Sequence, residues 1–165
     1  MPRLRKIAIA VLAALFAPAL FAMDVPHATQ NAQAANLAVP GALNYIEGSA
    51  TIGGEPLAQQ SVGSAVVNPG EVIATTDGRA EVLLTPGVFL RLGHNSAVKM
   101  VSPDLTNTVV DVERGRAAIE VDQLFKQNDI HIVEDKVPVQ LLKPGLYEFD
   151  ADCGAVMVFS GEAAA

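Results

Sequence analysis

The residues able to do chemistry are few and scattered. Three histidines, His27, His94 and His131, are far apart along the chain. Metal sites need three or four converging ligands, and no ligand spacing links these three. Asp150-Ala151-Asp152-Cys153-Gly154 has the alternating carboxylates of half a calcium loop. The third carboxylate and the distal Glu of such a loop are missing, so the segment reads as an Asp/Gly hairpin turn between two apolar strands. Ser61, Ser64, Ser96, Ser102 and Ser160 lack the G-x-S-x-G setting of an exposed nucleophile. Glu134-Asp135 reads as a solvated turn. No Gly-rich phosphate loop opens a helix. One cysteine, Cys153, cannot form an internal bridge. The sequence therefore assigns no catalytic, cofactor-binding or metal-ligating residue, and no cofactor.

The elements that would hold such residues begin with a leader. Arg3, Arg5 and Lys6 precede Ile7–Ala22, a stretch without charge, amide or hydroxyl. This is the layout of a secretory signal peptide, with cleavage expected after Ala22. The competing reading, a retained membrane anchor, falls short of the roughly 17 apolar residues a span requires and carries Pro18. Residues 23–40 are Ala/Asn/Gln-rich with two prolines and no periodicity, and read as a linker. A domain is expected over residues 41–165.

Three of the 11 basic residues lie in the leader; without it 18 acidic residues face 8 basic ones, a net charge of about −10. Such a chain repels nucleic acid and anionic lipid. Few aromatics and no Trp leave little for a sugar-binding platform.

From Gly41 onward turn residues recur at short intervals between segments rich in Val, Ile, Leu and Thr. Ala80, Val82 and Leu84, then Pro86-Gly87, then Val88, Leu90 and Leu92 predict a hairpin. A turn at Gly93-His94-Asn95 into Ala97–Met100 extends it to a three-strand meander. Thr108–Val121 predicts a second hairpin about Gly115, with Val110, Val112, Ala117, Ile119 and Val121 on the apolar face. Ile130–Val133 with Val139–Leu142, and Leu146–Asp150 with Ala155–Phe159, make two more pairs. Only Asp122–Asn128 has the character of a helical turn. The fold class expected is all-β: a single domain of short antiparallel hairpins, β-solenoid-like or β-sandwich, following an N-terminal signal helix. The return strand after Ser160-Gly161 is barely begun, so the last strand reads as incomplete.

The run Thr75-Thr76-Asp77-Gly78-Arg79-Ala80-Glu81-Val82-Leu83-Leu84, then Gly87-Val88-Phe89-Leu90-Arg91-Leu92, then Ser96-Ala97-Val98-Lys99-Met100 resembles the FecR domain. That pattern reads T-x-x-G-x-A-x-L-x-L, G-x-x-L-x-L, S-x-V-x-L. Val110–Val121 is similar to the family's next segment, and Gly145–Phe149 with Val156–Gly161 to its last. The resemblance spans about Gly41 to Gly161. It implies a non-catalytic extracytoplasmic module. The namesake proteins join such a region to a membrane helix and a cytoplasmic anti-sigma region; here only six residues precede the apolar stretch. The expected function is a periplasmic or secreted binding, sensing or scaffolding module of the cell envelope, not an enzyme. Its expected partners are an envelope or secreted protein or a surface polymer, with no nucleic acid and no membrane insertion after signal cleavage. Two alternatives stand beside it. One is a secreted carboxylate-dependent glycan hydrolase using Asp150 or Asp152; the other is a fragment without independent function.

Overall fold

The structure, a computed structural model, describes residues 39–165. The expected leader, most of the linker and His27 lie outside the described residues.

The described chain is all-β. Its strands are β1 (Ala42–Ile52), β2 (Glu55–Pro56), β3 (Val72–Thr85), β4 (Val88–Leu92), β5 (Ala97–Asp104) and β6 (Asn107–Arg114). They continue as β7 (Arg116–Val121), β8 (Ile130–Glu134), β9 (Val137–Leu141), β10 (Gly145–Asp150), β11 (Ala155–Ser160) and β12 (Ala163–Ala164). A short 3-10 turn covers Gln59–Ser61. Of the expected helical turn at Asp122–Asn128 only one hydrogen-bonded turn forms, with Asn128 N donating to Phe125 O at 2.9 Å and no helix following. The Asn128 side chain closes it, its Oδ1 accepting from Phe125 N at 2.8 Å and its amide donating to Leu105 O at 2.9 Å.

All strands join one sheet in the order β11-β10-β7-β4-β3-β5-β6-β8-β9-β12, with β1 on β3 and β2 on β1. The sheet is folded on itself and nearly closed. β3 makes the fold possible because it serves both halves: Ala80–Thr85 pairs with β4, and Val72–Ala74 pairs with β5. Its buried positions switch parity between Thr75 and Gly78, where an extra residue is accommodated opposite β1. Such a bulge bends a strand and re-aims its side chains. Gly48 faces Gly78 there. Gly48 has φ +69°, and a Cβ on either glycine would overlap the backbone of the other strand. The bend therefore requires two glycines in register.

Three expected pairs form: β3 with β4, β8 with β9, and β10 with β11. Asp135 and Lys136 both take positive φ, 45° and 67°, making the two-residue turn that suits the twist of β8 and β9. Two expected pairings are corrected. β4 and β5 do not continue a meander, because the Gly93–Ser96 link carries the chain to the other half of the sheet. Thr108–Val121 is not a hairpin either. β6 pairs with β5 and β8, and β7 pairs with β4 and β10. The physical reason is the link: Gly115 alone separates the strands, and a tight hairpin needs two loop residues. The β6–β8 pair is parallel, so the fold is not purely a set of antiparallel hairpins.

One core fills the space between the halves. Leu43, Val82, Leu84, Leu90, Ile119, Tyr147 and Phe149 come from one half. Ile73, Val98, Met100, Val110, Ile130 and Ile132 come from the other. The chain after β11 crosses Gly161 and lays β12 against β9, so the two ends of the sheet order are joined covalently.

Candidate functional site

The groups singled out from sequence do not converge. His94 lies in the corner after β4, its Nδ1 3.6 Å from the fully exposed Asp77. His131 sits on β8 with Nδ1 3.4 Å from Asp129. Among the described residues no group of three His, Cys, Asp or Glu is placed to hold a metal ion.

Asp150 and Asp152 have structural partners. Asp150 is buried, and its Oδ2 accepts from Arg116 Nε at 2.8 Å. Burial pushes its carboxyl up, but the Cys153 thiol, the Arg116 guanidinium and the Asp152 N–H outweigh that and hold it below the usual range. Asp152 Oδ1 accepts from Gly115 N at 3.0 Å, tying the β10–β11 loop to the β6–β7 corner. Cys153 is exposed, and the neighbouring Asp150 raises its thiol, with burial adding to the effect. A raised thiol has little thiolate and is a poor nucleophile. Ser96 is buried, its Oγ donating to His94 O and accepting from Arg116 N, each at 3.0 Å. Ser160 Oγ accepts from Leu146 N at 3.0 Å. These hydroxyls are spent on backbone.

The surface feature with most consequence is β11. It hydrogen-bonds β10 on one side and no other strand on its second side, among the described residues. Val156 and Val158 stand opposite Phe149 and Tyr147, so they share the core face of the sheet, yet they are 38 % and 46 % exposed. On the opposite face Met157 and Phe159 are 39 % and 62 % exposed. A strand apolar on both faces belongs in the interior of a sheet. Edge strands normally carry a charge, a Pro or a cover, and Ala155–Ser160 has no charged residue or Pro. The sequence pattern pairs β11 with β10 and leaves the strand after it incomplete. It did not identify the apolar exposure of this strand, although the unalternated Val-Met-Val-Phe run was its signal. Elsewhere the outer face is solvated: Arg91 lies between Glu81 and Glu120, bonding both.

No helix among the described residues is long and apolar enough to cross a membrane. The chain matches no protein-family model, no curated protein and no solved structure.

Proposed function

We propose that this chain is an exported, FecR-like, sandwich-like β domain that binds another envelope or secreted protein, or a surface polymer, without catalysing a reaction. The observation that carries the reading is β11: a strand with interior composition and one free hydrogen-bonding edge. Strand addition would satisfy its backbone and cover Val156 and Val158 at once. Export rests on the basic-then-apolar leader. The FecR-like assignment rests on the order and spacing of the motifs from Thr75 to Gly161. Non-catalytic action is favoured because Asp150, Asp152, Ser96 and Ser160 are all committed to structural hydrogen bonds.

The test uses the chain from residue 23 as bait in an envelope fraction. The wild type should recover a partner repeatedly. Val158→Lys, which places a charge on the core face of the edge, should lose it while keeping the same β-sheet circular dichroism. Recovery by both proteins alike, or by neither, sinks the reading.

A further inference from the structure

Every sheet edge other than β11 is guarded among the described residues. β2 is two residues long, Glu55 and Pro56. The first half of β1 is covered from outside, with Leu43 N donating to Ala65 O and Gly63 N donating to Leu43 O, each at 2.9 Å. The far end of β5 carries Pro103 and Asp104. β9 carries Pro138, and β12 covers its Gln140 and Leu141. Pro, charge and a cover are the usual defences of an edge. β11 has six residues and none of these.

Such an edge accepts a strand that is extended, uncharged and open along one side. Among the described residues one strand has those properties, β11 itself. Charge favours the same match. The chain beyond the leader carries about −10, so two copies repel across most of their surfaces. At β11 that repulsion is least. The strand has no charge, and the groups at its two ends are already ion-paired, Arg116 with Asp150 and Lys143 with Glu162. Glu148, beside Met157 on β10, would stand three strand spacings, about 14 Å, from its own copy, beyond the screening length of physiological salt.

A twofold axis normal to the sheet reverses the strand, so each copy presents the same patch to the other in an antiparallel pair. Placed on Met157, the axis sets Met157 against Met157. Val156 then meets Val158 of the second copy on the core face, and Ala155 meets Phe159 on the outer face. No like charges and no hydroxyl meet across the pair. Placed on Val158, the axis would set Val156 against Ser160, whose Oγ is committed to Leu146 N.

We infer, resting on the reading of β11 as a docking edge, that its occupant is β11 of a second copy, in a closed twofold dimer centred on Met157. The two sheets join as β10-β11-β11-β10. With no second open edge among the described residues, the pair closes and does not propagate as a fibre. Six residues a side make a contact below the roughly 1,200 Å² of stable interfaces, so the dimer forms reversibly as concentration rises.

Sedimentation equilibrium of the chain from residue 23 tests this over about 1 μM to 1 mM, the span of weak to moderate affinities. The mass should climb from monomer toward dimer and stop there. Raised salt should strengthen the dimer by screening the copies from each other. Val158→Lys should stay monomeric with unchanged β-sheet circular dichroism. A second pair of variants, both carrying Cys153→Ser, covers a failure of that one to fold. Met157→Cys puts two thiols directly opposite at the axis, within disulfide reach, and oxidised glutathione should link them into a dimer. Phe159→Cys puts its thiols about 13 Å apart and should not link. A monomer at every concentration overturns the second copy as occupant; loss of the envelope partner by Val158→Lys would still uphold the docking edge. Association that survives Val158→Lys, grows past a dimer or weakens in salt overturns the β11 pair, as does equal linkage of the two cysteine variants.

Discussion

At the scale of residues, two buried carboxylates have opposite linkage to pH. Glu134 is held above the ordinary Glu range by burial first, with Asp135 and Asp150 adding repulsion. Asp111 and Glu113 flank its partner Val112 on β6. Its folded-state affinity for a proton exceeds that of the unfolded chain, so its favourable contribution is complete below the unfolded value. That contribution is lost as pH rises through the folded one. Glu134→Gln should therefore raise the thermal midpoint at pH 7, and the gain should vanish in acid below the ordinary carboxylate range; a gain equal at both pH values refutes the assignment. Asp150 runs the other way: held low by Cys153 and Arg116 against burial, it stabilises above the unfolded value and loses that as pH falls through the folded one. Arg116→Met should accordingly lower the midpoint at neutral pH and flatten the acid limb, read by thermal melts across pH. Thr75 has a third role. Its Oγ1 donates to Gly93 O at 2.5 Å and accepts from Ser96 N at 3.1 Å, joining β3 to the β4–β5 corner. Thr75→Val keeps the shape and strands both backbone groups, at a cost of about 1–3 kcal/mol by urea denaturation.

At the scale of elements, strands were legible and their partners only partly so. Alternation at Ala80-Val82-Leu84 and Val88-Leu90-Leu92 marks core faces, and short turns at Pro86-Gly87 and Asp135-Lys136 force neighbours to pair. Alternation is blind to the choice of partner across a longer reach. Val110, Val112, Ala117, Ile119 and Val121 are all buried, as the pattern requires, yet β6 and β7 lie in different halves of the sheet. The missing information is at the corners: Gly48 against Gly78, Gly115 against Asn95 and Ser96. Each is a close backbone approach that exists only once the sheet has folded over. The burial of Glu134 was illegible for the same reason. Glu134 beside Asp135 looks like a solvated turn until the 151–154 loop covers it. The corner at Gly48 should be unforgiving. Gly48→Val adds a branched side chain at positive φ and against the Asp77 carbonyl, and should cost about 2–3 kcal/mol. A smaller loss than that of an exposed-strand control would mean the bend tolerates a side chain.

For the whole molecule, the closed circuit bears on cooperativity. Two sheet halves could melt separately if each owned its own core. Here β1 and β3 run through both halves, and the apolar residues of both merge in one cluster. Tyr147 adds a seam at the join: its hydroxyl donates to Lys143 O and accepts from Glu162 N at 3.0 Å, holding the chain between β11 and β12 against the β9–β10 link. Damage to either half should therefore be felt by the whole. Ile119→Ala on β7 and Ile132→Ala on β8 remove fully buried side chains from opposite halves, and each should cost about 2–5 kcal/mol. Both variants should still unfold in one transition, with far-ultraviolet circular dichroism coincident with Tyr147 fluorescence, Tyr45 being replaced by Phe to leave a single reporter. Tyr147 reports from the β10 half. If Ile132→Ala left the tyrosine transition unmoved while the circular dichroism shifted, the halves would be separate folding units, and the bent strands β1 and β3 would be hinges between them.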